Sequence, residues 1–256
     1  MRRLKITLAY DGTRYHGWQK QPGLATIQGI LEETVSAIEG APVSVLASGR
    51  TDAGVHALAQ VAAFSLSNPI PAANLRKALN RLLPPDIRVL EVAPVEPDFH
   101  PRFHALAKTY EYRIFRGEIC PPFERLYVHH YPYPLNVERM IAAAPLFEGE
   151  HDFSAFAASD ERDLLGGSKV RTVFSSTLRL EGDRLYYRVR GNGFLKHMVR
   201  NLAGVLIECG KGNLDEEDLR RLLDPAGGRR AGPTLPARGL FLVSVEHPAC
   251  SGSHSV

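Results

Sequence analysis

Cysteine is scarce in this 256-residue chain: only Cys120, Cys209 and Cys250 are present, and no two of them stand in Cys-x-x-Cys spacing. So sparse and odd a set excludes a disulfide framework or a zinc knuckle, and it predicts a reducing, cytoplasmic setting. The chain also lacks any apolar run approaching about 18 residues, the length a membrane-crossing helix needs. A strong excess of one charge is missing too. Lys and Arg number 31 against 28 Asp and Glu, a net +3, so an anionic partner must be met by local clusters rather than by the overall field. There is no G-x-G-x-x-G. The stretch from Gly204 to Gly210-Lys211 has one residue too many for a phosphate loop and continues to Gly212 in place of Ser or Thr. No nucleotide cofactor is expected. His100 and His104 have a ligand-like spacing, but Pro101 interrupts any helix and no third ligand accompanies them, so no metal is expected either.

What is present reads as an ordinary globular protein, 44% hydrophobic and 23% charged, long enough for one large domain or for two of about 100–130 residues. Leu4, Ile6, Leu8 and Tyr10 alternate, which predicts a strand over 3–10 and not the unbroken apolar core of a signal peptide. Thr26 and Gly40 bracket a helix with Ile27, Ile30, Leu31, Val35 and Ile38 as its apolar stripe. Strands are expected over 43–47 and 60–66. A second helix carries Leu75, Ala78, Leu79, Leu82 and Leu83 and is stopped by Pro84-Pro85, and a fourth strand runs over 87–92. This β-α-β-β-α-β order predicts a ferredoxin-like split βαβ half over residues 1–105. The rest repeats the plan loosely: strands over 108–115, 170–180, 185–189 and 240–245, and helices over 137–144, 195–209 and 215–223. The fold class is therefore α+β, with two ferredoxin-like halves (1–105 and 106–247), antiparallel sheets carrying helices on one face, a cleft between the halves, and a polar tail over 248–256.

Two stretches hold chemistry. Gly49-Arg50-Thr51-Asp52-Ala53-Gly54-Val55-His56 lies between the second and third strands and gathers a carboxylate, a guanidinium, a hydroxyl and an imidazole between glycines. By itself Asp52 reads first as a turn residue bonding its own backbone, with Arg50 pointing at water, and spacing alone does not overturn that. In the helix over 195–209, Lys196, His197, Arg200, Asn201 and Gly204 form a basic polar face near an N-terminus, where anions are favoured. Its plain alternative is a solvated surface. Arg220-Arg221 and Arg229-Arg230 are further basic pairs.

The octet, continued into Ala57 and Gln60-Val61, resembles the signature of the tRNA pseudouridine synthase A family. The likeness runs along nearly the whole chain: Tyr10-Asp11-Gly12, Tyr15, Gly17-Trp18-Gln19, Gln21, Leu79-Asn80, Leu83-Pro84, Phe99-His100, Arg102-Phe103, Tyr110, Tyr112, Gly149, His151-Asp152-Phe153, Gly191-Asn192, Phe194-Leu195, Met198-Val199-Arg200 and Gly239-Leu240 follow in the family's order. Pro101 departs from the family's usual Ala, and the chain has His247-Pro248 where an aromatic is usual. The resemblance implies an isomerase that converts uridine to pseudouridine at positions 38, 39 and 40 of the tRNA anticodon arm, as a homodimer with a basic cleft, without cofactor or metal. It implies that Asp52 is the catalytic carboxylate, that Tyr110 stacks on the target base, that Arg200 pairs with Asp52, that Leu240 walls the pocket and that Arg50 holds the flipped nucleotide. Attack on the sugar, attack on the ring and removal of a sugar proton all remain open as the role of the carboxylate. Of Tyr110 and Tyr112, one alone is expected to face the pocket. The alternative from another class is a non-catalytic RNA-binding module or tRNA chaperone, although no RNP1 pattern is present.

Overall fold

A computed structural model describes residues 1–159, 167–224 and 231–248. The chain divides into two compact units, Met1–Ala107 with Leu242–Val256, and Lys108–Phe241. It is an α+β protein with mostly antiparallel strand pairing.

The first unit runs β1 (Arg2–Tyr10), α1 (Ile27–Glu39), β2 (Leu46–Ala47), β3 (His56–Leu66), α2 (Ala72–Leu82) and β4 (Ile87–Pro94). Strands β3 and β4 flank β1 antiparallel on either side. The alternating side chains of β1, Leu4, Ile6, Leu8 and Tyr10, are all buried. Thr26 caps α1 by accepting the Gly29 N–H at 3.2 Å, and Gly40 closes it at φ +78. Leu31 and Val35 are buried beneath it, while Ile30 and Ile38 are half-buried. The strand expected over 43–47 shrinks to two residues. The backbone before it bonds side chains of α1 instead: Val43 N–H donates to Ser36 Oγ and Val45 N–H to Glu32 Oε1. β3 in turn is longer than expected and begins within the octet, at His56.

The second unit runs β5 (Ala107–Phe115), β6 (His129–His130), α3 (Val137–Ala143), β7 (Gly149–Asp152), β8 (Val170–Glu181), β9 (Arg184–Gly191), α4 (Met198–Lys211), α5 (Glu216–Leu223) and β10 (Leu240–Glu246). β9 lies antiparallel between β5 and β8, β7 pairs antiparallel with β8, and β6 pairs parallel with β5. Two expectations change here. From Leu242 onward β10 groups with the first unit and not with 106–247, and its neighbour in that unit is β3. And α4 begins three residues later than the apolar spacing suggests. His197, its N-cap, sits at φ +63, a left-handed conformation that a helix cannot pass through.

Candidate functional site

In the first unit the octet is a turn clamped from below and from one side. Gln60 of β3 is wholly buried inside an apolar run, and its amide binds the strand entering the turn. Its Oε1 accepts the Ser48 hydroxyl at 2.7 Å, and its Nε2 donates to the Gly49 carbonyl at 3.0 Å. Tyr10, at the end of β1, shares a hydrogen bond of 2.8 Å with the Thr51 hydroxyl. A register shift between Leu8 and Tyr10 brings that residue opposite Ala57. Burial pushes the Tyr10 phenol up to about 12, with its bonds to Thr51 and Gln60 pulling the other way, so it stays neutral. Polar groups so enclosed hold one arrangement, because breaking any bond leaves a partner desolvated.

From the side comes the loop after β1. Trp18 N–H donates to the Thr51 carbonyl at 3.0 Å, and Gly54 N–H to the Tyr15 carbonyl at 3.3 Å. The two backbones touch so closely that a Cβ at Gly12 would lie 2.0 Å from the Val55 carbonyl oxygen, and one at Gly17, which has φ +84, would lie 2.6 Å from that of Thr51. Within the turn Val55 N–H returns to the Asp52 carbonyl at 3.1 Å, and Gly54 takes φ +77. His56 is buried, and its Nδ1 is 3.1 Å from both the Gly12 N–H and Asp11 Oδ1. One nitrogen cannot accept from the first while donating to the second. Asp11 Oδ1 already accepts the Thr13 N–H and hydroxyl, so Nδ1 is assigned as the acceptor of Gly12. On this frame Asp52 is half-buried and Arg50 exposed.

The second unit carries Tyr110, Arg200 and Leu240. Tyr110 is buried on β5, with its ring edge-on to Phe194 at 5.2 Å. The expectation that only one of Tyr110 and Tyr112 faces the pocket side is corrected. Residues two apart on a strand share a face, and here the opposite face of β5 carries Glu111 and Arg113, bonded to each other at 3.0 Å. Depth separates the two tyrosines instead. Tyr112 is fully buried and donates its hydroxyl to the Pro236 carbonyl at 2.7 Å. Burial pushes its phenol well up, against the pull of the Arg200 and Arg238 guanidiniums. Arg200, in the first turn of α4, is half-buried and donates Nε–H to the Leu235 carbonyl at 2.6 Å. Leu240 is buried at the start of β10.

The polar face expected on α4 is mostly interior. Lys196 and His197 precede the helix, Gly204 is buried, and buried Asn201 donates to the Phe156 carbonyl at 2.6 Å and accepts the Thr234 hydroxyl at 2.6 Å. Of the other basic pairs, Arg220 and Arg221 each pair with a glutamate one turn back, Glu216 and Glu217, on α5. Arg229 and Arg230 lie outside the described residues. Sequence reasoning passed over Gln60, Ser48 and Tyr10 as positioning groups. A glutamine in the middle of an apolar strand was the available signal.

Comparison with known proteins decides the family. The model of the tRNA pseudouridine synthase family matches residues 6–104 and 143–248. The chain belongs to that family. Within it, the tRNA pseudouridine synthase A of Solibacter usitatus is 66% identical over 247 residues, covering 96% of this chain and all of that protein. The tRNA pseudouridine synthases A of Lacticaseibacillus casei and Limosilactobacillus fermentum are each 44% identical, the latter over the full length of both chains.

Proposed function

We propose that this pseudouridine synthase family member isomerises uridine to pseudouridine at positions 38, 39 and 40 of the tRNA anticodon arm, with Asp52 as its catalytic carboxylate. The observation that carries the reading is the placement of Asp52. A half-buried carboxylate stands on a turn whose backbone is fixed by buried side chains and by a second loop, within a chain 66% identical to a tRNA pseudouridine synthase A.

The chemistry suits such a group. Uridine and pseudouridine are isomers: the N1–C1′ bond breaks, C5 bonds to C1′, the C5 hydrogen leaves as a proton, and N1 takes up a proton. No oxidant or reductant enters the balance. A carboxylate can serve as nucleophile toward sugar or ring, or as base toward a sugar proton. Reaching a stacked base requires flipping it out, at a few kcal/mol. Stacking on Tyr110 and contact with Arg50 would offset that cost. In the same reading Arg200 pairs with Asp52, and Leu240 walls the pocket. In this reading the fold is built of two ferredoxin-like halves flanking a cleft, in a cytoplasmic homodimer that needs neither cofactor nor metal.

The test is tritium release from a tRNA transcript carrying C5-labelled uridine, because product formation must lose that hydrogen and binding alone does not. Release at the three anticodon-arm positions is the expected result. Tight binding without release would favour the RNA-binding or chaperone reading.

A further inference from the structure

In the first unit, α2 and β4 together line an open recess of about 660 Å³ built from Arg76, Lys77, Asn80, Arg81, Arg88, Val89 and Leu90. Four of these seven residues are cations and none is an acid. Helix α2 has no Asp or Glu anywhere along AANLRKALNRL, and Glu91, the next residue on β4, is not part of the lining. In a chain whose charges nearly cancel, at 31 basic against 28 acidic, this is a local excess of the kind an anionic ligand requires.

Structural duties account for part of it. Arg88 donates to the Pro84 and Ile87 carbonyls at 2.7 Å each, and Arg76 donates to the Leu90 carbonyl at 3.2 Å. Arg81 lies in the last turn of α2, where a cation suits the helix dipole. Bonds to carbonyls do not cancel a charge, however, and among the described residues none of the four cations forms an ion pair. Lys77 makes no hydrogen bond there either. Lys77 and Arg81 are one turn apart, an arrangement that disfavours a helix through like-charge repulsion. By contrast, Arg220 and Arg221 on α5 both find glutamate partners.

We propose that the α2–β4 recess is a phosphate-backbone contact for the RNA substrate, separate from the residues that handle the target nucleotide. The recess is open and strongly basic, with only Val89 and Leu90 as apolar lining, which suits a polyanion passing over it better than an enclosed small molecule. Exposed Arg76, Lys77 and Arg81 neutralise phosphates, and Asn80 is held in place by its two bonds to Val89, at 2.7 and 2.8 Å. The inference rests on tRNA being the substrate.

The test is a binding isotherm for a full-length tRNA transcript at several salt concentrations. It compares wild type with Arg76→Gln/Lys77→Gln/Arg81→Gln and with Lys77→Glu, whose folding is checked by thermal melting. Each phosphate left without its cation should lower the slope of log Kd against log salt by about 0.9 or somewhat less. The triple variant should therefore lose about 2–3 in slope and bind at least tenfold more weakly near 0.1 M salt, with Lys77→Glu in between. An unchanged slope and affinity in both variants overturns the proposal. Wild-type protein that binds the same tRNA but releases no tritium overturns the catalytic reading instead, so the two failures are told apart.

Discussion

On the proposed reading Asp52 is the catalytic carboxylate, and the buried side chains beneath the turn hold its backbone through Gly49 and its hydroxyl through Thr51. Asp52→Asn keeps the volume and most of the hydrogen-bonding capacity while removing the charge and the nucleophilic oxygen. A turn residue tolerates that change, since Asn and Asp favour the same turns. The expected outcome is loss of single-turnover pseudouridine formation with tRNA affinity and fold retained. Residual turnover within about tenfold of wild type, a gap of ~1.4 kcal/mol, would return Asp52 to a structural role. Gln60 makes the complementary case. Gln60→Leu fits the apolar run around it but removes one partner from the buried Ser48 hydroxyl and one from the half-buried Gly49 carbonyl, and a buried polar group left unsatisfied costs about 1–3 kcal/mol. A lower melting temperature is expected together with slower single turnover, because the strand entering the octet loosens. A variant that melts earlier yet turns over at the wild-type rate would show that the network supports the fold without placing Asp52.

At the scale of elements, what the sequence discloses follows from how local the determining forces are. β1 and α1 are readable because period-two burial and the caps Thr26 and Gly40 act within a few residues. The octet is readable because its glycines and its carboxylate are contiguous. The start of α4 is not, since nothing in Leu195-Lys196-His197 announces that His197 will take φ +63. Nor is the interior position of its polar side, because periodicity separates polar from apolar but cannot tell water from the carbonyl that bonds Asn201. The loss of strand over 43–45 comes from Ser36 and Glu32 of α1, whose side chains take the Val43 and Val45 N–H groups and which a period-two pattern does not register. Gly204 turns this into a prediction. In a helix interior Ala is normally better than Gly by about 1 kcal/mol. Here an added Cβ would stand 2.0 Å from the Pro233 carbonyl oxygen, so the segment over 233–235 must move. Leu235 in that segment anchors Arg200 Nε. Gly204→Ala should therefore lower the melting temperature, by a cost of about 1–3 kcal/mol for overpacking, and slow turnover as well. A stabilised variant would mean that the segment gives way freely.

At the scale of the whole molecule, titration sets the pH range of stability. His129, on β6 beside the Tyr112 ring, is pushed down to about 4 by burial, with the Arg238 and His130 charges adding to the effect. Its Nδ1 is buried and has no hydrogen-bond partner among the described residues. The unfolded chain binds a proton at this histidine near pH 6.5, before the folded chain does. Its contribution is thus fully present above about 6.5 and is lost as pH falls toward 4. The carboxylates held low, Glu39 by the backbone N–H groups of Ser67 and Asn68 and Glu124 by Arg184, act only further down, through the ordinary carboxylate range. On the alkaline side the sign reverses. Burial pushes the Cys209 thiol up to about 11 and the Tyr10 phenol up to about 12, so the folded state keeps protons that the unfolded state releases first. That stability is present below the ordinary thiol range and declines above it. The expected melting profile is a plateau from about pH 6.5 to 8.5 with a falling limb on each side. His129→Gln should flatten the limb between about 6.5 and 4 while leaving the alkaline limb unchanged. Melting curves for wild type and variant across pH 4 to 10 check it. An acid limb of equal steepness in both proteins would assign that limb to the carboxylates and leave His129 without a part in it.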